Sequence, residues 1–138
     1  MKVPDIEIGK TTISGLVDIL ADDFGEQRAL AYDDYGIDYN FKEFRSICDD
    51  VAKGLIALGI EKDEKIAIWA NNVPEWVLLQ YGSARAGAVM VTVNTSYRSF
   101  ELEYLMKQSD ATTLIMIGGV REPDEYIKVV NELVPDLD

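Results

Sequence analysis

The chain has 138 residues, with 13 lysines and arginines against 25 aspartates and glutamates, no histidine and one cysteine, for a formal net charge of −12. Those counts exclude Ser-His-Asp and Cys-His nucleophile machinery, His-ligated zinc or haem, an internal disulfide and a thiolate metal site. The acidic balance repels nucleic acid and anionic lipid surfaces, while 48% apolar residues suit a globular core rather than a disordered tail.

In the first half, Ile13 to Phe24 carries Leu16, Val17, Ile19, Leu20 and Phe24 at helical spacing, with Asp18, Asp22 and Asp23 mostly on the other side. Gly25 is expected to end this helix in the left-handed conformation. Arg28 to Tyr32 and Ile37 to Tyr39 read as short strands joined through Asp33-Asp34-Tyr35-Gly36, with Gly36 free to take positive φ. Asn40 and Glu43 form a capping-box pattern. Phe44, Ile47, Cys48, Val51, Leu55 and Leu58 then make one apolar stripe, stopped by Gly59.

The second half reads as strand and helix in turn. Lys65 to Ala70 is a short β run, and Pro74 suits the first position of a helix continuing to Ala86 before Gly87. Ala88 to Val93 is apolar on both faces. Ser99 is expected to cap a helix from Phe100 to about Ser109, and Thr113 to Ile117 is another apolar run, broken by Gly118-Gly119. Pro123-Asp124 is expected to begin a last helix carrying Ile127, Val130 and Val134 on one face, before Pro135. This succession predicts an α/β fold: a parallel sheet flanked by helices on both faces, preceded by an N-terminal helix and a small β-hairpin. Residues 1–64 are taken as helix, hairpin and long helix, and 65–138 as a βαβαβα unit, within a single piece. The front segment holds 15 acids and 7 bases against 10 and 6 in the rest, so it is the more solvated. No run reaches the roughly 18 to 20 apolar residues of a membrane helix. Met1-Lys2-Val3-Pro4 opens no signal peptide, because no apolar stretch follows, and the expected compartment is the cytoplasm.

Candidate chemistry is sparse. Gly54 and Gly59 have the spacing of a phosphate loop, but Ile60-Glu61 follows where lysine and serine or threonine are needed. Gly118-Gly119 could bring backbone N–H groups to an anion, yet Glu122, Asp124 and Glu125 oppose one, and a plain loop is the better reading. The pairs Asp22-Asp23, Asp33-Asp34 and Asp49-Asp50 cannot chelate as neighbours, because adjacent side chains share no face, and are read as solvated surface. Cys48 lies on an apolar stripe beside acids and is read as core. Trp69 and Trp76 could line a pocket but fit packing better. Ligands of open parallel sheets lie outside the carboxyl ends of the strands. Those ends carry Asn71-Asn72, Asn94-Thr95-Ser96-Tyr97-Arg98 and Gly118-Gly119. Of these, Asn94 and Thr95 are expected to satisfy turn backbone and Arg98 to pair with a nearby carboxylate such as Glu101.

Three blocks carry a family resemblance. Ile66-Ala67-Ile68-Trp69-Ala70-Asn71-Asn72-Val73-Pro74-Glu75-Trp76, Ala84-Arg85-Ala86-Gly87-Ala88-Val89 and Val93-Asn94-Thr95-Ser96-Tyr97-Arg98 with Glu101-Leu102-Glu103-Tyr104-Leu105 stand in this order. Together they resemble the AMP-forming adenylating enzymes, which include acyl-CoA synthetases. Tyr39-Asn40-Phe41-Lys42-Glu43-Phe44 and Leu58-Gly59-Ile60 are similar to the segment before those blocks, so the likeness runs from about Thr12 to Ile117. Thr95 departs from the family, where many relatives have proline. The resemblance implies a parent enzyme that activates a carboxylic, fatty acid with ATP and Mg2+ to an acyl-adenylate and passes it to coenzyme A. It also implies an N-terminal fragment without catalytic, cofactor-binding or metal-binding residues. The Ser/Thr/Gly-rich loop ending in Pro-Lys-Gly, the ribose-binding aspartate and the C-terminal-domain lysine of the family are not in this sequence. Implied partners are the remaining subdomains of the synthetase, and the fragment is expected to self-associate through apolar surface left uncovered. The other readings are a stand-alone, non-catalytic α/β binding domain and a flavodoxin-like nucleotide binder.

Overall fold

The structure, a computed structural model, describes residues 10–136; the signal-peptide reading of Met1 to Pro4 lies outside them. Helix α1 spans Ile13–Phe24, and Thr12 caps it by accepting from the Gly15 amide at 3.0 Å. Strands β1 (Arg28–Tyr32) and β2 (Ile37–Asn40) pair antiparallel around a short 3-10 turn, where Gly36 takes φ 63° as its turn requires. Helix α2 (Phe41–Ala57) starts on the anticipated capping box: the Glu43 amide donates to Asn40 and the Asn40 amide donates to Glu43, each at 2.9 Å.

Strand β3 (Lys65–Trp69), helix α3 (Pro74–Ala86), strand β4 (Val89–Thr92), helix α4 (Ser99–Ser109), strand β5 (Thr113–Met116) and helix α5 (Glu125–Leu133) follow. The parallel sheet has the order β4-β3-β5, with Ala67 opposite Val91 on one side and Leu114 on the other. Central β3 sorts its residues by parity. Ile66 packs with Leu55 and Ile60 on the α2–α3 side, while Ala67 and Trp69 pack with Leu102, Tyr126 and Val129 of α4 and α5. Helices therefore cover both faces, and β3 reads as a continuous apolar run because neither face meets water. The hairpin and parallel sheet match the expected architecture.

Helices α1, α2 and α3 share a second cluster of Val17, Phe44 and Cys48 against Val77, Leu78 and Tyr81, with Phe44 edge-on to Tyr81 at 5.1 Å. Gly82 lets α2 and α3 approach: a Cβ there would stand 2.4 Å from Val51 Cγ1. Arg85, also on α3, reaches across to both other helices, bonding Asp49 at 2.5 Å, Asp18 at 3.0 Å and the Ser14 carbonyl at 3.3 Å. Burial alone would pull its pKa down, but the two carboxylates outweigh that and raise it. Asp49 is thus half-buried and paired, not simply solvated surface.

Four local expectations are corrected. Gly25 is right-handed, with φ −44°; glycine stands there because a Cβ would lie 2.5 Å from Lys42 Cε and 2.7 Å from the Ala21 carbonyl oxygen. Leu58 leaves the α2 stripe and is 79% exposed, because the helix has already ended at Ala57. Ser99 is the first helical residue of α4 rather than its cap: Arg98 occupies the cap position, its amide donating to Glu101 at 3.0 Å, and the Ser99 hydroxyl donates to the Glu132 carboxylate. Helix α5 begins at Glu125 and buries Tyr126 and Val129, while Ile127 and Val134 are largely exposed. The stacking of Tyr126 on Trp69 sets that rotation.

Candidate functional site

The carboxyl ends of β3, β4 and β5 feed three loops toward one edge of the sheet, where ligands of open α/β sheets gather. Their foundation is an apolar clamp. Trp69, the last residue of β3, stacks on Tyr126 of α5 with ring centroids 3.7 Å apart and planes 8° from parallel. Each ring also uses its polar end: Trp69 Nε1–H donates to the Asn94 carbonyl at 3.0 Å and Tyr126 O–H to the Thr95 carbonyl at 3.2 Å. The loop after β4 is thereby held at two successive carbonyls. Asn94 turns its side chain back to accept from the Ser96 amide at 2.9 Å, and the Tyr97 amide donates to the Asn94 carbonyl at 3.0 Å. Asn94 thus satisfies turn backbone as anticipated, whereas Thr95 takes part through its own carbonyl, which accepts from Tyr126.

Arg98 does not pair with Glu101 through its side chain. Its guanidinium meets Glu125 at 3.0 Å, across a polar cleft of about 430 Å³ between the start of α4 and α5. Arg121 approaches the same carboxylate at 3.8 Å, and Lys128 pairs with Glu122 at 3.3 Å. Glu125 is held below its ordinary pKa, first by the Arg121 backbone N–H and then, against a burial cost, by the Arg121 and Arg98 charges. Three cations and three carboxylates line this cleft and balance one another. Such a set does not fit a nucleotide triphosphate with its magnesium, which needs unspent positive charge and backbone donors.

The other sequence candidates fall apart from one another. Asn72, after β3, accepts from the Tyr32 hydroxyl at 3.0 Å and ties the hairpin to the sheet. Gly118 and Gly119 fold tightly against Pro123 and Glu122, whose carbonyl oxygens would stand 2.1 Å from an added Cβ at either glycine. The Gly118 carbonyl accepts from the Tyr126 amide, so this loop closes on itself. Cys48 is fully buried, and desolvation pushes its thiol up to about 11. Trp76 is half-buried on the wall of an apolar groove. Among the described residues no three His, Cys, Asp or Glu side chains gather as a metal site, no buried polar side-chain atom lacks a partner, and no helix is long and apolar enough to cross a membrane. The Tyr126 clamp and the Glu125 cleft escape sequence reading, because Trp69 and Tyr126 are 57 residues apart, and nothing local marks such a pair.

A family model described as AMP-binding enzyme matches residues 18–137. The Bacillus subtilis (strain 168) protein YngI, provisionally named an acyl-CoA synthetase, is 44% identical over 131 residues, which are 95% of this chain and 24% of that protein. The mouse mitochondrial medium-chain acyl-CoA ligase ACSF2 is 28% identical over 97% of this chain and 22% of its own length. In fold, the N-terminal domain of FACL13 from Mycobacterium tuberculosis superposes with a TM-score of 0.79 at 22% identity, over 92% of this chain and 30% of that one. The N-terminal subdomain of Klebsiella oxytoca NpsA gives 0.72 at 22% identity, over 78% and 27%. The chain therefore spans about a quarter of the length of the curated relatives it matches.

Proposed function

The chain belongs to the AMP-binding enzyme family, and from that premise we propose that it is the N-terminal part of an acyl-CoA synthetase. The whole enzyme activates a carboxylic acid, a fatty acid in our reading, with ATP and Mg2+ to an acyl-adenylate and pyrophosphate. Coenzyme A then takes the acyl group. The observation that carries this reading is the 44% identity to YngI along almost the entire chain. We place the enzyme in the cytoplasm and its further subdomains beside this one. Residues 1–138 act as one unit in this reading, supported by Arg85 and Tyr32, which bond across the two halves.

These residues serve as scaffold and carry no catalytic step. The balanced charges of the Glu125 cleft and the self-closed Gly118-Gly119 loop support that assignment. Reading the coding sequence past Asp138 tests the proposal. A Ser/Thr/Gly-rich loop ending in Pro-Lys-Gly is expected, and a stop codon would instead favour a stand-alone binding domain. The isolated 138-residue chain is expected to show no carboxylate-dependent ATP–pyrophosphate exchange, whereas the longer polypeptide shows it. Exchange by the short chain would refute its scaffold role.

A further inference from the structure

The cluster shared by α1, α2 and α3 is not filled. Side chains from these helices and from β1 surround an apolar cavity of about 130 Å³. Its walls include Leu20 of α1, Ala29 and Leu30 of β1, Phe41 and Phe44 of α2, and Tyr81 of α3. Of the side chains that line it, Tyr81 alone carries a polar atom. Val17 and Phe44 are buried, whereas the other walls are half-buried, so the space is reachable from solvent.

The hairpin is built around this space. Arg28 stands opposite Asn40 and Leu30 opposite Tyr39, so β1 advances two residues where β2 advances one. A bulge of this kind re-aims side chains. Ala29 and Leu30, which regular alternation would send to opposite faces, both pack against the same cluster. Ala29 then contributes only a methyl group, and the space a larger side chain would take stays open. An empty cavity destabilises a fold, because its lining loses packing partners. Water does not repair this one, since the lining offers too few polar partners.

The geometry also selects the occupant. Three rings, Phe41, Phe44 and Tyr81, stand in the lining, and Phe44 already meets Tyr81 edge-on with planes 77° apart. A further planar ring extends that arrangement. An apolar cavity of about 150 Å³ holds one benzene ring, so the size is right for one ring and too small for a nucleotide or a long acyl chain. A carboxylate or phosphate would be buried here without a cation, since no lysine or arginine lines the cavity. We propose that this cavity is a binding site for a single uncharged aromatic ring. The site is separate from the strand-end loops and does not depend on the synthetase reading.

Fluorine NMR titration of fluorobenzene with the whole polypeptide encoded by the gene tests the proposal. A dissociation constant of about 1 mM or tighter is expected. Fluorocyclohexane, which lacks the ring–ring contact, is expected to bind roughly threefold to tenfold more weakly. Ala29→Leu fills the space from β1 and is expected to weaken fluorobenzene at least about tenfold. Leu20→Phe fills it from α1 with the same expected result, so one folded variant suffices if the other fails to fold. Melting temperature shows which variants are folded. Three results overturn the proposal: no binding of fluorobenzene, binding that survives filling in a folded variant, or equal affinity for fluorocyclohexane.

Discussion

Gly82 and Arg85 lie three residues apart on α3 and hold its contact with α2 by opposite means, one by lacking a side chain and the other by reaching. A methyl at Gly82 meets Val51, whose β-branched side chain has little freedom to withdraw. Overpacking of this kind costs about 1–3 kcal/mol, more than the roughly 1 kcal/mol of helix propensity that alanine adds. Gly82→Ala is therefore expected to lower the denaturant midpoint, and Val51→Ala is expected to restore part of the loss in the same background. Additive effects of the two substitutions would disprove the contact. Arg85→Ala removes the cation shared by Asp18 and Asp49. Because those carboxylates remain partly exposed, the expected loss is about 2 kcal/mol rather than the 3–5 of a fully buried pair. Chemical denaturation measures it. Cys48, with its thiol held in the protonated form, is expected to react with a thiol reagent at pH 8 only after denaturation.

Elements whose signals are local were legible in the sequence. The α2 cap needs only Asn40 and Glu43, three residues apart, and the hairpin needs only a glycine able to take positive φ. Asn40→Ala is expected to cost about 1 kcal/mol, read by thermal melting. Legibility failed wherever a distant partner decided the outcome. Gly25 is set by Lys42, Ser99 by Glu132, and the rotation of α5 by Trp69. Periodicity puts Ile127 on one apolar face with Val130 and Val134, but that pattern does not weigh an aromatic one position earlier. Ile127→Lys is accordingly expected to leave the melting temperature within about 2 °C, whereas Val129→Lys lowers it substantially. The candidate site divides in the same way. The strand ends and the Asn94 turn followed from sequence, but the Arg98–Glu125 pair spans 27 residues and did not.

For the molecule as a whole, the acidic balance governs how stability responds to solution conditions. Glu64 is held below its ordinary pKa, first by the Thr112 hydroxyl and then by the Glu61 backbone N–H, and Glu125 by the contacts described above. A carboxylate depressed in the folded state binds fewer protons there than in the unfolded chain. Its contribution is complete above the unfolded value near 4.5 and is lost as pH falls through the folded one. Melting temperature is thus expected to drop as pH falls below about 4.5, and less so in a Glu64→Gln, Glu125→Gln double variant. An identical acid profile for that variant would remove these two groups from the explanation. With a net charge of −12, added sodium chloride is expected to raise the melting temperature by screening self-repulsion.

The Trp69–Tyr126 stack also bears on how the chain is made. Trp69 sits at the end of the central strand, but the ring that covers it is translated 57 residues later. A ribosome-bound chain that has released β3 and β4 but not yet α5 must present an uncovered indole to the cell. Stalled chains ending before Tyr126 should therefore engage chaperones that bind exposed aromatic surface, and chains a few dozen residues longer should release them.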